Sequence, residues 1–208
     1  MTIKATSALS ILAIWVATIT GIVVAGGGSP VIIFAFLATA AVGISAWRRL
    51  GLSRLIAIAG MWSSVAIGMG GHTNNWWISI FAFLSTGAVV YSLMRRDDVM
   101  IGVGVAAAWL AVGIASAKFD GAAWMCIFAF LTTGALSNTR GDSARGLSAI
   151  LWWGIVLGVV LVGGASWAWL SIPAFILTAA SLGLGDFRFP RALEWDLFDR
   201  DDDGDRVR

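Results

Sequence analysis

The stretch IFAFLSTGAVV, residues 80–90, is written more than once in this chain: IFAFLATAAVG starts at Ile33, IFAFLTTGALS at Ile127 and a looser IPAFILTAASL at Ile172. Phe34, Phe81 and Phe128 stand 47 residues apart, and the aligned Pro173 follows 45 later. Other positions keep the same step. Trp15, Trp62 and Trp109 are 47 apart with Trp153 a near match, and Trp77, Trp124 and Trp169 each precede the Phe or Pro position by four. Thr39, Thr86, Thr133 and Thr178 fall on one equivalent position. A period of this length running through apolar stretches predicts tandem copies of one supersecondary unit.

Composition says where such a unit would live. Of 208 residues, 59% are hydrophobic and only 12% charged, and the mean hydropathy is +0.86, far from a soluble globular domain. Eight apolar stretches cover residues 7–25, 30–46, 54–71, 76–93, 99–116, 121–137, 146–163 and 168–185. Each has about 17 to 19 residues, near the short end of what crosses a hydrocarbon core about 30 Å thick. They are apolar all round and do not alternate with polar residues, which favours helices over a β-barrel. The expected fold is therefore all-α and membrane-embedded, with eight short transmembrane helices built from four parallel two-helix repeats. The copies are bounded at 1–49, 50–96, 97–143 and 144–185, with a segment over 186–208 standing apart. The first stretch, preceded by Lys4 and followed by small residues, has the look of a signal peptide; its membership of the repeat makes it a span.

Two spans per copy return the chain to the side it came from, so all copies enter the membrane in the same direction, related by an axis along the membrane normal. Lys4, Arg48, Arg49, Arg54, Arg95, Arg96, Arg140 and Arg145 fall on the N-terminal side, whereas Lys118 is the only basic residue in the opposite loops. The positive-inside rule then predicts a multi-pass protein of the cell membrane with both termini cytoplasmic. Trp77, Trp124 and Trp169 lie at the outer loops, where indole rings favour the headgroup level and anchor a helix at the interface. The sequence pI of 9.2 does not point to nucleic acid, because the basic residues are divided among short loops and form no patch.

Candidate chemistry is sparse. None of the stretches carries Asp, Glu, Lys, Arg or His at its middle, which argues against a proton-coupled carrier or pump. His72 in GGHTNNWW is the only histidine and has no Cys or carboxylate beside it, short of a metal site. With Asn74 and Asn75 it reads as a polar outer turn, or as a loop that touches a ligand or partner. Cys126 is alone, so no disulfide forms within the chain. The turns GGGSP and GMGG lack the flanking strand and the Gly-Lys-Ser/Thr of a phosphate loop, and no nucleophile, base and orienting group assemble into a hydrolase. The last residues, DRDDDGDRVR, open like a calcium loop but have no twelfth-position Glu, and read as a solvated acidic tail behind an interfacial segment.

The repeated Thr positions admit two readings. Small residues with Thr at i and i+4, as in Ala82 and Thr86, let helices pack closely in lipid. Four hydroxyls around a common axis would instead line a passage. The first function considered is accordingly a passive channel or uncoupled transporter for a small neutral solute or ion, lined by Thr39, Thr86, Thr133 and Thr178. The alternative is a non-catalytic accessory or scaffold subunit. Neither calls for a cofactor or metal. The partners implied are the lipid bilayer, further copies of the chain or another membrane subunit.

Overall fold

The computed structural model describes residues 3–26, 30–45, 50–91, 98–137 and 143–180. Arg48, Arg49, Arg95, Arg96 and Arg140, and the interfacial segment and acidic tail expected over 186–208, lie outside the described residues.

Eight α-helices make up the described residues: α1 Ile3–Ala25, α2 Val31–Ser45, α3 Leu52–Gly71, α4 Ile78–Tyr91, α5 Val99–Lys118, α6 Cys126–Ser137, α7 Ser143–Gly163 and α8 Ser171–Ala180. The odd-numbered members, of 20 to 23 residues, are long and apolar enough to cross a membrane. The even-numbered members are shorter than the expected spans, at 10 to 15 residues. Part of each shortfall has a local cause. Before α4, α6 and α8 the chain first winds as a 3₁₀ turn, over Thr73–Trp77, Ala123–Met125 and Ala165–Leu170, and 3₁₀ turns are common at the N-termini of α-helices. Those turns hold the Trp residues that the sequence placed in outer loops.

Helix ends follow from particular residues. Gly26 and Gly164 take φ of 72° and 86° just past α1 and α7, a left-handed conformation that glycine adopts without a Cβ penalty. Their N–H groups close the last turns on Ile22 O at 3.0 Å and Val160 O at 2.8 Å. The Asp98 carboxylate caps α5 by accepting from the Met100 N–H at 2.9 Å, which satisfies one of the donors every helix start leaves open. Pro30 precedes α2 and Pro173 sits in the first turn of α8, where a missing N–H costs least.

Packing sorts the helices into two rows. In one row α1 packs on α3, α3 on α5 and α5 on α7; in the other α2 packs on α4, α4 on α6 and α6 on α8. Each odd helix also packs on the even helix that follows it. The pairs stand in line and not around a central axis, since α7 makes no comparable contact with α1, nor α8 with α2.

The odd row is held by backbone approach. A Cβ added to Gly102 would fall on the Ser53 carbonyl, one on Gly60 on Ala106, one on Gly113 on Ser64 and one on Gly71 on Ala117. Both members of these pairs advance together along the chain, so α3 and α5 run parallel, in contact along their whole length. Gly146 of α7 meets the Met100 carbonyl of α5 in the same way. The even row is held by rings instead: Phe34 on Phe83 at 6.4 Å, Phe81 on Phe130 at 6.1 Å and Phe128 on Phe175 at 6.4 Å between centroids. Aromatic pairs at such separations add to the area they bury.

The contrast gives a direct test. Gly146→Val should cost about 3 kcal/mol in reversible unfolding in mixed micelles, the upper end of ordinary overpacking, because the obstacle is backbone. Gly154→Ala, on α7 with nothing within 4 Å of the new Cβ, should leave stability unchanged or raise it by a few tenths of a kcal/mol.

Candidate functional site

Three of the repeated Thr side chains, Thr39, Thr86 and Thr133, lie between the two helices of their pair. On α1 the Trp15 indole Nε1–H donates to Thr39 Oγ1 of α2 at 3.1 Å. Trp62 of α3 donates to Thr86 of α4 at 3.1 Å, and Trp109 of α5 to Thr133 of α6 at 2.9 Å. In all three pairs donor and acceptor are 24 residues apart.

The hydroxyls are then used a second time. Thr86 Oγ1 donates to Ala82 O, Thr133 Oγ1 to Ala129 O and Thr178 Oγ1 to Ala174 O, each at 2.8 Å. A buried helical Thr commonly back-bonds the carbonyl four residues earlier, and its oxygen lone pairs remain free to accept. In α4 and α6 the result is a relay of indole N–H to hydroxyl to helix carbonyl. Thr86, Thr133 and Thr178 are fully buried, as are the rings of Trp62 and Trp109.

The fourth pair departs from this pattern. Trp153 is fully buried, yet its Nε1 has no hydrogen-bond partner, and Thr178 stands 25 residues on.

At the C-terminal ends of the odd helices, Asn75 turns inward. Its Nδ2 donates to Gly68 O of α3 at 3.2 Å and to Ser116 O of α5 at 3.0 Å, so one buried amide joins the C-terminal ends of two neighbouring odd helices. His72 caps α3, its N–H on Gly68 O at 3.3 Å, while its carbonyl accepts from the Asn75 N–H at 3.0 Å; its Nε2 has no partner. Asn74 is exposed. Of the three residues taken together as an outer contact, one is thus internal.

Trp77 and Trp124 sit edge-on to the Phe four residues later, Phe81 and Phe128, at 6.1 and 5.8 Å. Trp169 stacks on Trp167 at 6.3 Å, with both rings partly exposed. Lys118 reaches from the end of α5 to Leu161 O in the last turn of α7 at 3.4 Å, where a cation meets the negative end of the helix dipole.

Two features were not singled out from sequence. The Trp donors share the period of the Thr acceptors, so a constant separation of 24 was the signal for pairing them. The hydroxyls of Ser85 and Thr132, each one residue ahead of a relay Thr, are buried without a hydrogen-bond partner; a hydroxyl beside a Thr gives no sequence cue of its own. Among the described residues no three His, Cys, Asp or Glu side chains come together as a metal site would need. The chain matches no family model, no curated protein and no solved structure, so the reading of the site rests on its geometry.

A double-mutant cycle on Trp62→Phe and Thr86→Val should return a coupling of about 0.6 to 1.7 kcal/mol, the range of hydrogen bonds between membrane helices. The corresponding cycle on Trp153→Phe and Thr178→Val should return a value near zero, measured by the same micellar unfolding.

Proposed function

We propose that the chain is a non-catalytic scaffold or accessory subunit of the cell membrane, a stiff slab of four tandem two-helix units with both termini cytoplasmic. The observation that carries this reading is the Trp–Thr relay. At Thr86 and Thr133 the hydroxyl proton is committed to a helix carbonyl and one lone pair to an indole N–H, which leaves a passing solute no donor and a single buried acceptor site. The in-line arrangement adds support, because a lumen walled by four equivalent Thr needs them around a common axis. Odd helices long enough to span and apolar outer faces favour a bilayer over water, and the distribution of Lys and Arg sets the orientation.

Function in this reading comes from shape and rigidity. The partners are lipid and another membrane subunit, met at the outer Trp-rich turns or along the flat faces of the slab. One observation favours a second reading: the unpartnered hydroxyls of Ser85 and Thr132 could serve a passive route for a small neutral solute.

Two measurements test the proposal. In a Cys126→Ala background, Asn74→Cys and Asp120→Cys should react with an impermeant maleimide from outside intact cells, and Arg96→Cys only after permeabilisation; the reverse pattern overturns the orientation. Liposomes containing the purified protein should pass water, small neutral solutes and monovalent ions no faster than empty ones. A flux that falls in a Ser85→Ala, Thr132→Val variant would overturn the scaffold reading in favour of transport.

A further inference from the structure

The two ends of the slab are continuous in register with its internal joints. Shifting the α3–α5 contact Gly71–Ala117 back by one period of 47 gives Val24 and Gly70, and a Cβ on Gly70 meets the Val24 side chain at 3.1 Å. Shifted forward, by 47 from α3 to α5 and by the 44 residues that separate Trp109 from Trp153 from α5 to α7, the same contact becomes Lys118 and Leu161, the pair joined by the Lys118 hydrogen bond. Each odd helix therefore has a face toward the next unit and a face toward the previous one, and the free faces of α1 and α7 can be compared with those inside.

At the middle of every internal joint at least one side is small. Ala13 and Ala17 of α1 face Ala59 and Ala66 of α3 by this register; Gly60 and Ser64 of α3 face Ala106 and Gly113 of α5. Ala107 and Ala111 of α5 face the larger Ile150 and Leu157 of α7. A second copy stacked end to end would set Leu151 and Ile155 of α7 against Leu12 and Ile19 of α1. Large side chains would meet large ones, a pairing absent from these mid-helix positions of the joints within the chain, and the close approach that drives helix association in lipid would be lost.

The even row ends in the same way. Each internal joint sets the first Phe of the repeated motif on the second Phe of the next copy. At the far end the first Phe is replaced by Pro173, which offers no ring to a following unit. At the near end the second Phe is Phe36, already edge-on to Trp15 at 4.8 Å.

We infer that both ends of the slab are caps that face lipid acyl chains, so that copies of the chain do not stack end to end. Repeat arrays need atypical terminal units for this purpose. Leu12 and Ile19 are each 56% exposed, Leu151 58% and Ile155 53%, and these branched aliphatic faces carry the chemistry an acyl chain packs against. The inference rests on the bilayer reading above and directs any protein partner to the flat faces or the outer turns.

The test reconstitutes the Cys126→Ala protein, with Leu12→Cys and Leu151→Cys, at low protein-to-lipid ratio and oxidises it. A monomer band with no ladder is expected; a ladder of 12–151 cross-linked chains would overturn the inference. A second variant restores interior residues at both ends, with Leu12→Ala, Ile19→Gly, Leu151→Gly and Ile155→Ser, and subunits are counted by single-molecule photobleaching. Species above monomer should rise several-fold over the parent; a variant that stays monomeric would overturn the role given to these side chains. Resistance to carbonate extraction, scored separately, distinguishes failure of the bilayer reading from failure of the caps.

Discussion

An indole N–H buried between helices must find an acceptor inside the protein, because leaving it unpaired costs about 1–3 kcal/mol. Three of the four helix pairs meet that demand with one device, a Thr hydroxyl 24 residues along the chain. The bond fixes more than two side chains. It sets the rotation of α1, α3 and α5 against α2, α4 and α6, and so determines which faces are left to form the rows. With Trp62 turned toward Thr86, the stripe through Gly60, Ser64 and Gly71 is presented to α5. The aromatic ladder of the even row follows from the same rotation.

The rows divide the work of cohesion. Odd helices approach until backbone touches backbone, which only Gly, Ala and Ser permit, and gain from dispersion along their whole length. Even helices are kept apart by interleaved Phe rings, and α4, α6 and α8 begin in 3₁₀ turns, so their contacts are fewer and more local. The Asn75 amide ties the C-terminal end of the α3–α5 joint on two carbonyls, and Lys118 ties that of the α5–α7 joint on one. Neighbouring joints thus solve one problem, the exposed carbonyls at a helix end, with different side chains from different positions of the repeat.

Much of this was legible in the sequence. Eight apolar stretches match eight helices among the described residues, and the boundaries expected at 54–71 and 99–116 differ by two residues from Leu52–Gly71 and Val99–Lys118. The period also grouped Thr39, Thr86, Thr133 and Thr178, of which the first three accept an indole N–H from the partner helix. The setting of the pairs was not legible, because the parity of spans gives the direction of each unit and not whether units close around an axis or stand in line. The deciding information was spread over facing stripes such as Ser53, Gly60 and Gly71 against Gly102, Ala106 and Ala117, each of which reads alone as generic small-residue content. Asn75 illustrates the limit at one residue: an amide at a turn can face water or satisfy helix ends, and only the position of α5 decides between them.

The fourth pair shows what the Trp–Thr device is worth by lacking it. Separations of 44 from Trp109 to Trp153 and 45 from Thr133 to Thr178 break the spacing of 24, and Trp153 keeps a buried, unpaired N–H. An internal unit with that defect would loosen two joints, one on each side. The last unit has only one, and the Met100–Gly146 contact and the Lys118 bond to Leu161 O hold α7 to its neighbour without reference to Trp153. A unit with a single neighbour can therefore depart from the pattern where one packed on both sides cannot, and the same freedom allows Pro173 to stand where the other units have Phe.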